Sequence, residues 1–467
     1  MQKGVVDFIT LGCSKNLVDA ERVMRQLEAA GWTCVHDPEE PKGEVCVINT
    51  CGFIGDAKEE SINMILQMAE RKKKGKLRKL IVMGCLSERY RAELEAEMPE
   101  VDEYFGKFDF LKIVESLKLN VERSSRVESC KWIERKLTTP KHYAYLKISE
   151  GCNRMCSYCA IPLITGRHTS RPMEEILDEV RWLVKQGVKE INVIAQDLSS
   201  YGLDLVKGQR DNVQSTNKHL LPELIDQMAQ IEGVEWIRLH YAYPTDFPEG
   251  LLDVMAKHKN VCKYLDIALQ HCTDHMLGLM RRHITRAEQD ALIHKIRERV
   301  PGICIRTTLL VGHPGETEED FEELKTWVKE MRFERMGCFA YSDEEGTYAN
   351  KHYKDDIPQE VKERRVEELM AIQQGISGEL MQRLVGTVQR VVIDREEGEY
   401  LIGRTQFDSP EVDCEVLIEK LRVLSPREAR LFESLELKEV EELKVGEFYN
   451  VKITKAEEFD LYGEIER

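Results

Sequence analysis

The stretch ISEGCNRMCSYCAIP, Ile148 to Pro162, holds three cysteines, Cys152, Cys156 and Cys159, at C-x3-C-x2-C spacing. A structural zinc site takes four ligands, and disulfides use cysteines in pairs. Three thiolates without a nearby fourth suit a 4Fe–4S cluster in which one iron is left open to a substrate or cofactor. Catalytic zinc, with three protein ligands and a water, is the rival, although an all-cysteine set is unusual for it. A second trio is spread along the chain: Cys13, Cys51 and Cys85, 38 and 34 residues apart. Each falls at or just past the end of a strand-like run and before a helical pattern. In an open parallel sheet such strand ends gather on one edge, where ligands bind. These three could hold a second three-coordinate cluster; the plainer alternative is three buried cysteines in strand–helix turns.

The elements that must position these thiols follow from hydrophobic periodicity. Up to about residue 122, the runs VVDFITLGC, EVCVINTC and KLIVMGC each precede a helical pattern, which predicts a parallel sheet under helices. A polar connector, ERSSRVESCKWIERKLTTPKH, leads to a second segment. There YAYLKIS, EINVIAQ, WIRLHY, YLDIAL, CIRTTLLVG and MGCFAYS alternate with helices, six βα units that predict a partial barrel, with Cys152 on its rim. The polar insertion Leu203–Leu220 follows the second of these strands and has the length of a lid or a disordered loop. A helical bridge opened by Pro358 leads into two stretches of period-two alternation broken by Gly and Asp, read as a small antiparallel β-barrel. The fold class is therefore α/β, with expected domains at residues 1–122, 138–372 and 376–467.

Composition narrows the function further. The chain has 467 residues and a formal charge of −17, which argues against a general nucleic-acid binder. The basic run Arg71–Lys79 is read as cations closing a helix before Gly75. No segment has the apolar length of a membrane span, and the N-terminus lacks the apolar core of a signal peptide. The expectation is a soluble, cytoplasmic protein with no membrane partner. Of its 14 cysteines, Cys34, Cys46, Cys130, Cys262, Cys272, Cys304, Cys338 and Cys414 read as small buried hydrophobes.

The C-x3-C-x2-C motif, with Tyr158 before its third cysteine and a place after the first strand of a six-fold barrel, resembles the radical S-adenosylmethionine superfamily. TTLLVGHPGET, Thr307–Thr317, is similar to that superfamily's glycine-rich strand against the adenine. The resemblance implies that S-adenosylmethionine chelates the open iron and that one electron cleaves it to a 5′-deoxyadenosyl radical. Both trios with the terminal barrel, and the pieces TLGCSKNLVDAE, INTCGFI and MGCLSERY, resemble the methylthiotransferase family: an N-terminal three-cysteine domain, a radical domain and a C-terminal TRAM domain. This likeness spans essentially the whole chain. It implies two 4Fe–4S clusters, the second presenting sulfur, and S-adenosylmethionine as both radical source and methyl donor. An electron donor is implied as a partner.

Within that family, LGCSKNLVD and AYSDEEGTYA resemble the members that modify an aspartate β-carbon of small-subunit ribosomal protein twelve, with Ser14 where those members commonly have proline. The alternative is a tRNA adenosine methylthiotransferase, whose members carry a Gln-Met-Asn version of the first motif and Arg-Pro in place of Glu344-Glu345. From residue 376 onward, 13 Lys and Arg face 22 Asp and Glu, a net −9. That charge suits a basic ribosomal protein, free or in the ribosome, and makes nucleic-acid contact incidental. A non-catalytic iron–sulfur or zinc protein is a third reading. Around the first cluster, Tyr158, Gln196, Thr308 and Gly312 are the expected cofactor contacts. Asp197 and Tyr201 are read as supporting or substrate contacts, and His240, His271 and His313 are given no role.

Overall fold

The computed structural model describes residues 4–117, 134–206, 219–420 and 443–466. Cys130, the expected boundary at residue 122 and most of the Leu203–Leu220 insertion lie outside the described residues.

Strands β1 (Val5–Thr10), β2 (Thr33–His36), β3 (Val45–Thr50), β4 (Lys79–Gly84) and β5 (Glu103–Tyr104) make one parallel sheet in the order β2-β1-β3-β4-β5. The three strands expected from the sequence are its centre. The flanking β2 and β5 have four and two residues, too few for alternation to declare itself. β3 is buried at every residue, as a strand covered on both faces must be. Val6, Phe8, Val45 and Val47 pack with helix α1 (Ser14–Ala29) on one face. Ile9, Cys46 and Ile48 pack with α2 (Gly55–Lys73) and α3 (Cys85–Glu97) on the other. Arg71, Lys72 and Lys73 close α2 before Gly75, as the basic run implied.

In the central part, β6 (Tyr143–Lys147) is followed by the short antiparallel pair β7 (Ser149–Glu150) and β8 (Thr169–Ser170). Then come β9 (Glu190–Ile194), β10 (Trp236–Ala242), β11 (Val261–Ile267), β12 (Cys304–Val311) and β13 (Arg335–Ala340). Six of these form a parallel sheet in the order β13-β12-β11-β10-β9-β6, the partial barrel expected. Alternation along the strands sorts the two faces. Ala144, Leu146, Ile191, Val193, Ile237 and Leu239 join the large core under the helices. Their neighbours Tyr145, Lys147, Asn192, Arg238 and His240 form the other face, which is polar and charged although buried. A barrel filled only for stability carries branched apolar residues there.

Helix Gln359–Gln382, opened by Pro358, leads to β14 (Val388–Glu397), β15 (Tyr400–Thr405), β16 (Glu415–Glu419), β17 (Phe448–Ala456) and β18 (Asp460–Ile465), a closed barrel in the order β14-β15-β16-β18-β17. It is not antiparallel throughout: β16 and β18 pair in parallel. β18, not β17, lies beside β16, an order that alternation alone does not encode.

Buried ion pairs join the three parts. Glu190, at the start of β9, binds Arg238 at 2.9 Å and Arg404 of the terminal barrel at 2.8 Å. Burial works against its charge, yet Arg404 and Arg238 hold the carboxyl below its usual range. Arg335 meets Asp408 at 2.6 Å, and Trp236, Cys262 and Cys304 pack with Val392 beneath the strand N-termini. Glu179 receives Arg22, Arg135 and Arg171, tying α1 to the central part. Removing one member of such a pair strands the other charge, so Glu190→Gln should cost about 3–5 kcal/mol in urea unfolding and expose the terminal barrel to limited proteolysis. The folded carboxyl binds its proton more weakly than the unfolded one. In the wild type this anchoring is therefore complete above the ordinary glutamate pKa and is lost only as the pH falls below about 4.

Candidate active site

The first trio occupies the loop after β6, at the C-terminal mouth of the partial barrel. The Arg154 backbone N–H points at Cys152 Sγ from 3.5 Å, and Arg282 Nη1 at Cys156 Sγ from 3.3 Å. Tyr243 Oη stands 3.6 Å from Cys156 Sγ. Donors directed at the sulfurs are what an iron–sulfur cluster uses to spread its thiolate charge. Burial, with Asp197 and Cys156 adding to it, pushes the Cys152 thiol up to about 12 against the Arg154 N–H. Burial and then Cys156 push Cys159 up as well. Arg154 is itself fixed, with Nε 2.7 Å from Asp197 and its guanidinium 4.4 Å from the Tyr243 ring.

Three buried polar atoms beside this trio lack a hydrogen-bond partner: Asp197 Oδ1, Gln196 Oε1 and Arg282 Nε. Buried polar atoms are nearly always satisfied, so these mark where the donors and acceptors of a bound molecule belong. On that ground the residues fit a cluster together with an amine- and carboxylate-bearing cofactor.

The second trio is brought together by the parallel sheet. Cys13 caps α1, Cys51 follows β3, and Cys85 opens α3. Two glycines allow the close approach. At Gly12, φ 91°, a Cβ would stand 3.0 Å from Cys51 Sγ; at Gly84, φ 102°, it would stand 2.6 Å from the Thr50 carbonyl. Asn16 stitches the loops, donating to the Leu11 and Thr50 carbonyls at 3.1 Å each and accepting the Cys85 thiol at 3.5 Å. Burial raises the Cys51 thiol, with Cys13 adding to it, and takes Cys85 to about 12 with Cys13 and Cys51 both contributing. The three thiols thus share one electrostatic neighbourhood. Among the described residues, no three His, Cys, Asp or Glu side chains stand at the spacing of a single ion's ligands. A four-iron cube holds its cysteines at separate corners, more widely than one ion's shell.

The two trios adjoin. Cys85 packs on Ala160 and Ile164, so the second trio abuts the residue after Cys159. Beside this contact lies a buried quartet: Lys147 binds Asp19 and, at 2.5 Å, Glu150, while Lys107 stands 3.7 and 3.8 Å from the same two carboxylates. Gln196 Nε2 donates to Glu150 at 3.1 Å, carrying the network back to the first trio.

Other expected residues fall unevenly. Tyr158 packs with Met276, Met280 and Tyr341 and accepts from Arg282 at 3.4 Å. Thr308 is half-buried on β12, in step with Arg306 on the polar face. Gly312, φ 74°, is packed against the Lys362 side chain of the bridge helix, into which a Cβ would run. Tyr201 is wholly buried in the main core and donates to the Arg171 carbonyl, a structural place rather than a substrate contact. Glu344 is 2% exposed and bound by Lys58 and Arg89 of the N-terminal domain, so its charge is spent between domains and does not face a partner. His271 and His313 are satisfied by Glu316 and Ser157. Sequence reading missed Tyr243, Arg282, Lys107 and Lys147. Only Arg154 carried a signal, by lying inside the cysteine motif.

Family models match the chain as the uncharacterized protein family UPF0004 over residues 5–106, the radical SAM superfamily over 146–328 and the TRAM domain over 385–465. The structure of the radical S-adenosylmethionine methyltransferase TsrM from Kitasatospora setae shares the fold, with TM-score 0.51 at 16% identity over 72% of each chain. Fold and family models make this a radical S-adenosylmethionine enzyme, a class that works with a 4Fe–4S cluster and S-adenosylmethionine. Ribosomal protein uS12 methylthiotransferases RimO of Phocaeicola vulgatus and Bacteroides thetaiotaomicron are 60% and 59% identical over 100% of this chain and 100% and 99% of theirs. That of Christiangramia forsetii is 49% identical over 99% of this chain and 95% of its own. The chain belongs to the RimO family of ribosomal protein methylthiotransferases.

Burial should order thiol reactivity in cluster-free protein. Cys13 is exposed, whereas Cys85 and Cys152, at about 12, have roughly one thiol in ten thousand ionised at pH 8. Iodoacetamide mapped by peptide mass spectrometry should label Cys13 well before either of those two.

Proposed function

We propose that this enzyme methylthiolates the β-carbon of an aspartate in ribosomal protein uS12, with Cys152, Cys156 and Cys159 holding one 4Fe–4S cluster and Cys13, Cys51 and Cys85 a second. The observation that supports the reading is the contact of Cys85 with Ala160, which brings one cysteine of the second trio against the residue after Cys159 across a domain boundary. Full-length likeness to uS12 methylthiotransferases supplies the substrate. When bound, the first group supplies one-electron cleavage of S-adenosylmethionine and the second supplies the inserted sulfur. An unactivated C–H bond yields to no side-chain base at a useful rate, which is why such chemistry is needed.

The chain's own residues do the positioning. Arg154 and Arg282 direct N–H groups at the Cys152 and Cys156 sulfurs and brace one another through the Tyr243 ring. Gln196 and Asp197 would offer free acceptors to the cofactor, and Tyr158 and Thr308 are further residues that would contact it. The Lys107–Asp19–Lys147–Glu150 quartet keeps the two pockets in register. The terminal barrel turns Asp394, Asp408, Glu411 and Asp413 toward the central part, and the net −9 of residues 376–467 suits a basic protein. We take residues 1–122, 138–372 and 376–467 as its domains, the cytoplasm as its compartment and an electron donor as a partner. No helix among the described residues is long and apolar enough to cross a membrane.

Mass spectrometry of uS12 from cells with and without the gene tests the activity. Loss of a methylthio mass from uS12 is expected; unchanged uS12 with altered tRNA nucleosides would reject it. In the purified enzyme, Cys156→Ala should abolish cleavage of S-adenosylmethionine. Cys51→Ala should retain part of that cleavage while forming no methylthiolated product, measured by chromatography of the reaction.

A further inference from the structure

Among the described residues, Lys15 is the one buried Lys or Arg with neither a carboxylate nor any hydrogen-bond acceptor. It is 8% exposed, two residues beyond Cys13, and its ammonium meets only the ring of Tyr241, 3.1 Å from the centroid. A cation–π contact offsets only part of the desolvation of an ammonium. Every comparable group is better served: Lys107 and Lys147 share Asp19 and Glu150, and Arg282 donates to the Ala268 carbonyl. A buried cation left without an anion points to an anion that arrives with a ligand.

The surroundings say which kind. Tyr241 has φ 65°, a conformation a bulky residue rarely adopts, and its ring lines a cavity of 380 Å³. Cys13, His240, Asp266 and Arg306 share that wall, and Glu411 of the terminal barrel closes it. Arg306 is already engaged by Asp266 and Asp413, each at 3.4 Å. Burial, with Arg238 next, holds His240 neutral. That leaves Lys15, which acts on Asp266 and His240 only through space, as the positive charge beside the cavity without an ion pair of its own, on the side of the second trio and away from the cofactor's expected place at the first.

We propose that Lys15 binds the carboxylate of the aspartate to be modified, holding it next to Cys13 while the peptide that carries it lies in the cavity between the three domains. This rests on the uS12 reading above. The carboxylate survives the replacement of C–H by C–S–CH₃, so Lys15 grips substrate and product alike and acts on KM more than on kcat.

The test uses full-length, cluster-loaded enzyme without oxygen, and uS12 in two forms: wild type, and a variant with asparagine at the aspartate located by its methylthio mass. Fluorescence anisotropy should show the aspartate form binding about tenfold or more tighter to wild-type enzyme. Lys15→Met should bind both forms alike, and Lys15→Arg should recover part of the preference. Retained preference in Lys15→Met, or none in the wild type, overturns the assignment. So does loss of iron from the second site in Lys15→Met, since the lysine would then serve the cluster. Methylthiolation of uS12 by wild-type enzyme, scored in parallel, judges the activity separately: product without aspartate preference sinks only the Lys15 assignment, whereas no product counts against the activity itself.

Discussion

Strand direction is the constraint on which the rest of this molecule depends. In both large sheets every strand runs the same way, so the strand C-termini collect along one edge of each. Cys13, Cys51 and Cys85 lie at three such ends in one sheet, and Cys152 follows the first strand of the other. Docking the two edges against each other gathers six thiols that no local spacing could assemble. An antiparallel strand in either sheet would send one member to the far side.

Holding the edges together takes charge as well as apolar area. The interface is lined by Asp19, Lys107, Lys147 and Glu150 beside the thiols and by Glu179 with three arginines farther out. Buried pairs of this kind add little net stability over an apolar contact, but they penalise any misregistered docking by leaving a charge stranded. An apolar seam could slide; this one cannot without stranding a charge. At the other end, Glu190 and Arg404 seat the small barrel under the strand N-termini, leaving the polar face of the sheet to line a cavity between the domains.

Much of this was legible in the sequence because it is written in short-range patterns. C-x3-C-x2-C is local, and β-branched runs before helical repeats locate both parallel sheets. The strand-end positions of Cys13, Cys51 and Cys85 could be inferred from those runs alone. What escaped is what depends on tertiary approach. Arg282 follows a short helix with no motif around it, yet it reaches Cys156; Lys107 lies just past a two-residue strand and reaches Asp19. Nothing local to Glu344 reveals that Lys58 and Arg89 cover it. The parallel pairing of β16 with β18 likewise follows from a strand order that alternation does not record.

The central claim is that two separate iron–sulfur centres face each other across the contact of Cys85 with Ala160. Anomalous scattering at the iron edge, from crystals grown without oxygen, tests it most directly. The account predicts two compact iron peaks, one beside Cys152, Cys156 and Cys159 and one beside Cys13, Cys51 and Cys85. A single peak in fully loaded protein, or a second one away from those three cysteines, would contradict it.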